Sequence, residues 1–189
     1  MRVPYIPSNP QFSSPQDQEI VSRVQKRRGS SGLLELDRAL LHSPPVADGW
    51  NSFLASIRSH TTIPDSIREL AICRVAVLNR AWYEWDQHAP LLLACPEISQ
   101  SHLDALLKTP AHQESDVFDE PHAAVMAYAD AMTLDVRVED AVFERVKKVF
   151  GDKGAVEVTA TVATYNCVSR FLVALDVGEC NGRGIESIK

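Results

Sequence analysis

Residues 66–94, SIRELAICRVAVLNRAWYEWDQHAPLLLA, are apolar on nearly every side of a helix. A helix of that kind is buried among other helices. The stretch therefore predicts a central helix, or two helices in succession, inside an all-α protein. Pro64 followed by Asp65 marks its start, because a proline suits the first turn and an acid complements the helix dipole. Polar residues in such a setting are the informative ones. Glu84 and His88, four apart, lie about 40° apart on one helical face. A carboxylate beside an imidazole orients it, raises its pKa and sets its tautomer, which suits general acid–base work. The plain alternative is a surface pair on an amphipathic helix. Glu69 and Arg74 stand among apolar neighbours, and a buried ion without a partner is strongly destabilising, so each needs a counter-ion. On a straight helix Glu69 would lie about 140° from Arg74 and about 100° from His88. Glu69 and His88 converge only if the chain bends near Asn79–Arg80, or across a subunit contact.

Outward from this centre the same helical style continues. Upstream, residues 1–18 read as an irregular arm rich in Pro, Ser, Asn and Gln, either free or draped over a neighbouring subunit. Helices are expected over 17–28 and 33–43, and another opens at Pro45 with Val46, Trp50, Phe53, Leu54 and Ile57 along one face. Downstream, Pro121 opens PHAAVMAYADAMT. The segment VEDAVFERVKKVF puts Val138, Val142, Phe143, Val146, Val149 and Phe150 on a broad apolar face, and Gly151 ends it. From Gly154 the run AVEVTATVATYNCVSRFLVALDV is rich in Val and Thr, yet too long for one strand and without a turn residue, so a buried helix is expected. The boundaries follow as an arm at 1–18, one helical domain at 19–178 and a tail at 179–189.

Bulk properties narrow the function classes. The 189 residues are 45% hydrophobic and 23% charged, the balance of a globular protein. A net charge of -6 argues against a nucleic-acid surface, which needs clustered Lys and Arg. Lys26-Arg27-Arg28 beside Gly29 reads as a solvated loop. The longest apolar stretch, 154–177, carries Glu157, Arg170 and Asp176, which a membrane span would not carry cheaply. No secretory signal is visible, so a cytoplasmic setting is expected. Cys73, Cys95, Cys167 and Cys180 form no CxxC, and each alone reads as a small buried hydrophobe. His42, His60, His102, His112 and His122 fall near helix ends or in polar loops, where surface histidines are common.

Taken together, LLHSPPVADGWNSF, then IPDSIRELAICRVAVLNRAWYEWDQHAPL, then FERVKKVFGDKGAVEVTATVATYNCVSRFLVAL resemble the carboxymuconolactone decarboxylase-like family. The likeness spans roughly residues 33–177, and its REL, LN, YEW and H elements are specific as a set. The resemblance implies a single-domain helical bundle of the alkyl hydroperoxidase D-like type. It also implies assembly into trimers or hexamers, active sites near subunit contacts and no cofactor. Reductases of that superfamily use a Glu, a CxxC and a His. Aligned from Glu69 to His88, the two cysteine positions fall on Ala81 and Glu84, so thiol–disulfide turnover there is not expected.

Carried over residue by residue, His88 is the candidate proton donor or acceptor, with Glu69 or Glu84 orienting it. Arg74 or Arg80 could hold a substrate carboxylate through a bidentate guanidinium. Asn79, Tyr83, Trp85, Tyr165, Asn166 and Arg170 could line the pocket, or simply pack the core. The family reaction is loss of CO2 from a carboxylated unsaturated lactone with proton transfer. It requires no metal, and Glu84 with His88 lacks a third obvious ligand. The alternatives are a thiol-dependent peroxidase, for which Cys73 would have to react alone, and a catalytically silent oligomeric scaffold.

Overall fold

The chain leaves the helical path at Asn79–Arg80–Ala81, inside the stretch that sets the fold class. In the computed structural model, which describes residues 1–185, eight α-helices follow one another and no strand occurs among the described residues. They are α1 (Pro15–Arg28), α2 (Glu35–Leu40), α3 (Pro44–Ser59), α4 (Asp65–Leu78), α5 (Trp82–Leu93), α6 (Gln100–Lys108), α7 (Glu120–Asp130) and α8 (Asp140–Leu175). Arg80, at φ 52°, takes the left-handed conformation that commonly ends helices. The Ala81 amide then donates to the Ala76 carbonyl at 2.8 Å. Of the two routes by which Glu69 and His88 could converge, the chain takes the bend, and α5 packs against α4.

The described residues form two compact units. The first holds residues 1–60 and 175–179, with α1 to α3. Its buried side chains include Val21, Val24, Leu40, Leu41, Ala47, Leu54 and Ile57. Three expectations change here. The N-terminal segment is not a loose arm: Arg2 N–H donates to Leu175 O, and Gly178 N–H donates to the Tyr5 hydroxyl, both at 2.8 Å. Arg38 lies over the Tyr5 ring, and α1 begins at Pro15, capped by Ser14. Lys26-Arg27-Arg28 is the last turn of α1, not a loop, and Arg28 grips the buried Asp37 through two bonds of 2.7 and 2.8 Å. On α3, Val46 and Phe53 are half exposed; Ala47 joins Leu54 and Ile57 in the buried set instead.

The second unit holds residues 61–174 and continues from Cys180. Here α4 packs against α5, α6 and α7, around fully buried Leu70, Ile72, Val75, Leu106, Val125, Val158 and Val162. A π-helical segment, Ala131–Asp135, extends α7. Gly151 divides α8 at φ 68° and ψ -178°, a region open essentially to glycine alone. Past it the chain crowds, since a Cβ on Gly154 would sit 2.5 Å from Phe150 Cβ. The expected Gly151 stop is thus a break between two helical segments. Of the apolar face expected before it, only Val146 is buried. The Val/Thr-rich half is helical as expected, and its hydroxyls are satisfied within the helix. Thr159, Thr161 and Thr164 each donate to the carbonyl four residues back, at 2.6 to 2.8 Å. By length and apolar content α8 alone among the described helices could cross a membrane.

Candidate active site

Three pairs of residues four apart on three helices of the second unit face one another. They are Glu69 and Cys73 on α4, Glu84 and His88 on α5, and Tyr165 and Ser169 on α8. All six are buried. Spacing of four keeps each pair on one face, and the break at Asn79–Ala81 turns α5 so that its face meets that of α4.

His88 Nδ1 lies 2.6 Å from Glu69 Oε2. With Glu69 ionised, Nδ1 carries the proton and donates it, which makes Nε2 the nitrogen that changes protonation. The short bond from His88 thus runs to Glu69, nineteen residues away. Its neighbour Glu84 accepts instead from Ser169 Oγ at 3.0 and 3.3 Å. The Tyr165 ring stands edge-on to the imidazole with centroids 5.1 Å apart. Trp85 and Tyr83 are also buried. Burial pushes the Cys73 thiol well above its ordinary value, and the neighbouring Glu69 and Glu84 charges push it further. It stays protonated and sealed from solvent, so it is a poor nucleophile. The other three cysteines are not buried as the sequence suggested: Cys167 is exposed, and Cys95 and Cys180 are half-buried.

Glu69 also faces outward. It lines a cleft of about 400 Å³ together with Asp65, Ser66, Arg68, Leu91 and Cys95. Arg68, missed from the sequence although it directly precedes Glu69, donates through Nη2 to Asp65 at 2.7 Å. Its buried Nε lies 3.4 Å from Glu69 Oε1 and makes no hydrogen bond. Ser169 was missed too; its only sequence signal is its place one turn beyond Tyr165.

The remaining candidates fall elsewhere. Arg74 is buried with Asp130, through Nε at 2.5 Å and Nη2 at 2.9 Å, while Nη1 donates to the carbonyls of Leu106 and Thr109. Its donors are committed inside the protein. Asn79, Asn166 and Arg170 form a separate polar cluster. Asn79 donates to Asn166 Oδ1 at 3.2 Å, Asn166 donates to Thr133 at 2.9 Å, and Arg170 also bonds to Asn166. Arg80 is exposed at the helix break. His122, expected at the surface, is buried between Asp119, at 2.5 Å, and Ser66, at 3.2 Å. Among the described residues no three His, Cys, Asp or Glu side chains gather as a metal site would need.

No sequence-family model matches the chain, and no curated protein matches it. Solved structures do. An uncharacterised peroxidase-related protein from Silicibacter sp. TM1040 superposes with a TM-score of 0.70 at 15% identity, over 95% of each chain. An alkylhydroperoxidase AhpD core protein from Ralstonia eutropha JMP134 gives 0.69 at 16%, over 93% of this chain and 90% of that one. The debrominase Bmp8, in a cysteine-to-alanine variant complexed with 2,3,4-tribromopyrrole, gives 0.64 at 18%, over 90% and 89%. The chain therefore has the all-α alkylhydroperoxidase D-like fold, which at these identities is what the likeness establishes.

Proposed function

We propose that the chain is a cofactor-free lyase or isomerase that works by acid–base catalysis on a small carboxylated lactone or related ring. The observation behind this reading is the buried Glu69–His88 contact of 2.6 Å, whose carboxylate also opens onto a cleft. Protonated at Nε2 as well, His88 is an imidazolium that passes its Nδ1 proton to Glu69, and Glu69 presents that proton to the substrate from the cleft, leaving a neutral imidazole steadied by the edge of Tyr165. In decarboxylation the bond to the carboxylate carbon breaks and its electrons enter the conjugated lactone carbonyl. CO2 leaves, and the dyad delivers its proton to the carbon next to the lactone carbonyl, so that the double bond moves out of conjugation and the enol-lactone forms. The buried Tyr83, Trp85 and Tyr165 keep the inner side of the dyad poor in water, where such a dyad acts most strongly.

Two further observations favour this class over thiol chemistry. Ala81 and Glu84 stand where a CxxC would be, and Cys73 is sealed and protonated. That the same fold in Bmp8 receives a small ring, tribromopyrrole, supports a cyclic substrate. Assembly into a trimer or hexamer belongs to the same proposal. It is supported by half-exposed apolar side chains on the second unit, among them Leu91, Leu134 and Val156.

The test is CO2 release and loss of ultraviolet absorbance when the purified protein meets γ-carboxymuconolactone, with His88→Ala alongside. Turnover that vanishes in a folded His88→Ala establishes the reaction class and the role of the dyad. No turnover with this or other carboxylated lactones sinks the lyase reading and leaves a silent scaffold.

A further inference from the structure

A second and larger cavity, of about 520 Å³, opens in the same unit and shares no residue with the Glu69 cleft. We propose that it is a binding site for a small, uncharged, largely apolar ring compound that carries one hydrogen-bonding group. The inference stands apart from the acid–base reading and survives or fails without it.

The size is that of small-molecule sites, which run from about 300 to 1,000 Å³. The space has a sequence cause. Ala123, Ala127 and Ala131 recur every four residues along α7 and its π-helical extension, so one face presents only methyl groups to the cavity. Met126, Phe118 and Val142 complete the apolar walls.

Those walls are fastened rather than loose. The loop from Thr109 to Asp119 crosses one side. Its His112 amide donates to Asp130 at 2.8 Å, and its Thr109 carbonyl accepts from Arg74 at 3.1 Å. The buried Arg74–Asp130 pair therefore pins this loop. Across the cavity, Arg145 reaches from α8 to Glu114 at 2.5 Å and Glu120 at 2.8 Å. A cavity held in this way costs a ligand little ordering on entry.

The rim decides the charge of the ligand. Arg145 faces Glu114 and Glu120, Arg137 lies 3.8 Å from Glu139, and His112 lies 3.5 Å from Asp135. Both rim arginines thus already have carboxylates beside them, and the acids Glu114, Glu120, Asp135 and Glu139 outnumber them. An anion entering would give up its hydration without finding a free cation, whereas a neutral ring gives up little. His112, Gln113 and Ser115 remain as hydrogen-bonding groups for one polar substituent.

The probe pair is 2-naphthol, uncharged at pH 7, and 2-naphthoate, which has nearly the same shape with a full charge. In a ¹⁵N-correlation titration of the intact chain, 2-naphthol is expected to shift the amides of Ala123, Ala127 and Ala131. Naphthoate should bind at least about tenfold more weakly. Ala127→Phe fills the space and should weaken 2-naphthol by at least about tenfold without changing the sedimentation coefficient. Ala123→Leu serves if that variant does not fold. Three results overturn the proposal: no shifts at these alanines, equal binding of the two probes, or a changed assembly state in the filled variant. The last would show that a second copy covers the cavity.

Discussion

Two buried polar pairs begin five residues apart on α4, and their chemistry differs. Arg74 meets Asp130 with both groups 1% exposed, and backbone carbonyls and an amide take up the other polar atoms. A guanidinium does not lose its proton in a protein, so this pair can only hold structure. Glu69 meets His88 in similar burial, but a carboxylate and an imidazole can share a proton, and Glu69 lines a cleft. Burial and charge are common to both. What separates a strut from a candidate site is an exchangeable proton and a path to it.

The largest expected effect breaks this comparison at the titrating pair. His88→Gln keeps an amide that can donate to Glu69 yet cannot exchange a proton. Turnover of the carboxylated lactone should fall by about 10²- to 10⁴-fold, while the melting temperature stays near that of the wild type. Retained turnover would remove the dyad from the chemistry.

The second break is at the strut. Arg74→Met leaves Asp130 buried and uncompensated, which should cost about 3–5 kcal/mol in urea denaturation. The double variant Arg74→Met with Asp130→Leu should recover most of that loss, because two apolar groups replace a complete pair. A single variant within about 1 kcal/mol of wild type would show that the pair is not the strut described.

This contrast also explains what could be read in the chain beforehand. The helical class was legible because residues 66–94 are apolar all round, and the need for counter-ions at Glu69 and Arg74 followed from the same burial. The partners were only partly legible. Asp130 is 56 residues from Arg74, and periodicity within one helix says nothing about which distant helix will face it. His88 as the partner of Glu69 depended on a turn made by Arg80, a residue without the sequence signal that Gly151 gives at its own break. Face patterns failed where apolar residues stay exposed, as at Phe53 and Val46, because hydrophobicity alone does not say which side has a neighbour. The arm expected at residues 1–18 is irregular only to Ser14, where α1 is capped, and what holds it is a set of distant partners, Arg38, His42 and Leu175 among them, that composition does not encode.

The smallest effect sharpens the comparison with a third carboxylate, one held by neutral donors. Glu157 accepts from the Thr62 amide at 2.8 Å, the Thr62 hydroxyl at 3.0 Å and the Ile63 amide at 3.2 Å, with Lys153 3.7 Å away. Burial alone would push its carboxyl up. The Thr62 and Ile63 donors and the Lys153 charge outweigh that and hold it below its ordinary 4.5. A folded value below the unfolded one means that the stabilisation is complete above the unfolded value and fades as pH falls through the folded one. Urea midpoints measured from pH 7 down to pH 3 should therefore fall more steeply for the wild type than for Glu157→Gln, which keeps an acceptor oxygen and does not titrate. The Glu69–His88 chemistry should be untouched by this change at pH 7, since Glu157 works at the junction of Thr62 with α8. Parallel curves for the two proteins would show that these hydrogen bonds do not favour the ionised carboxylate. The contrast between carboxylates that hold structure and the one proposed to move a proton would then rest on Asp130 and Glu69 alone.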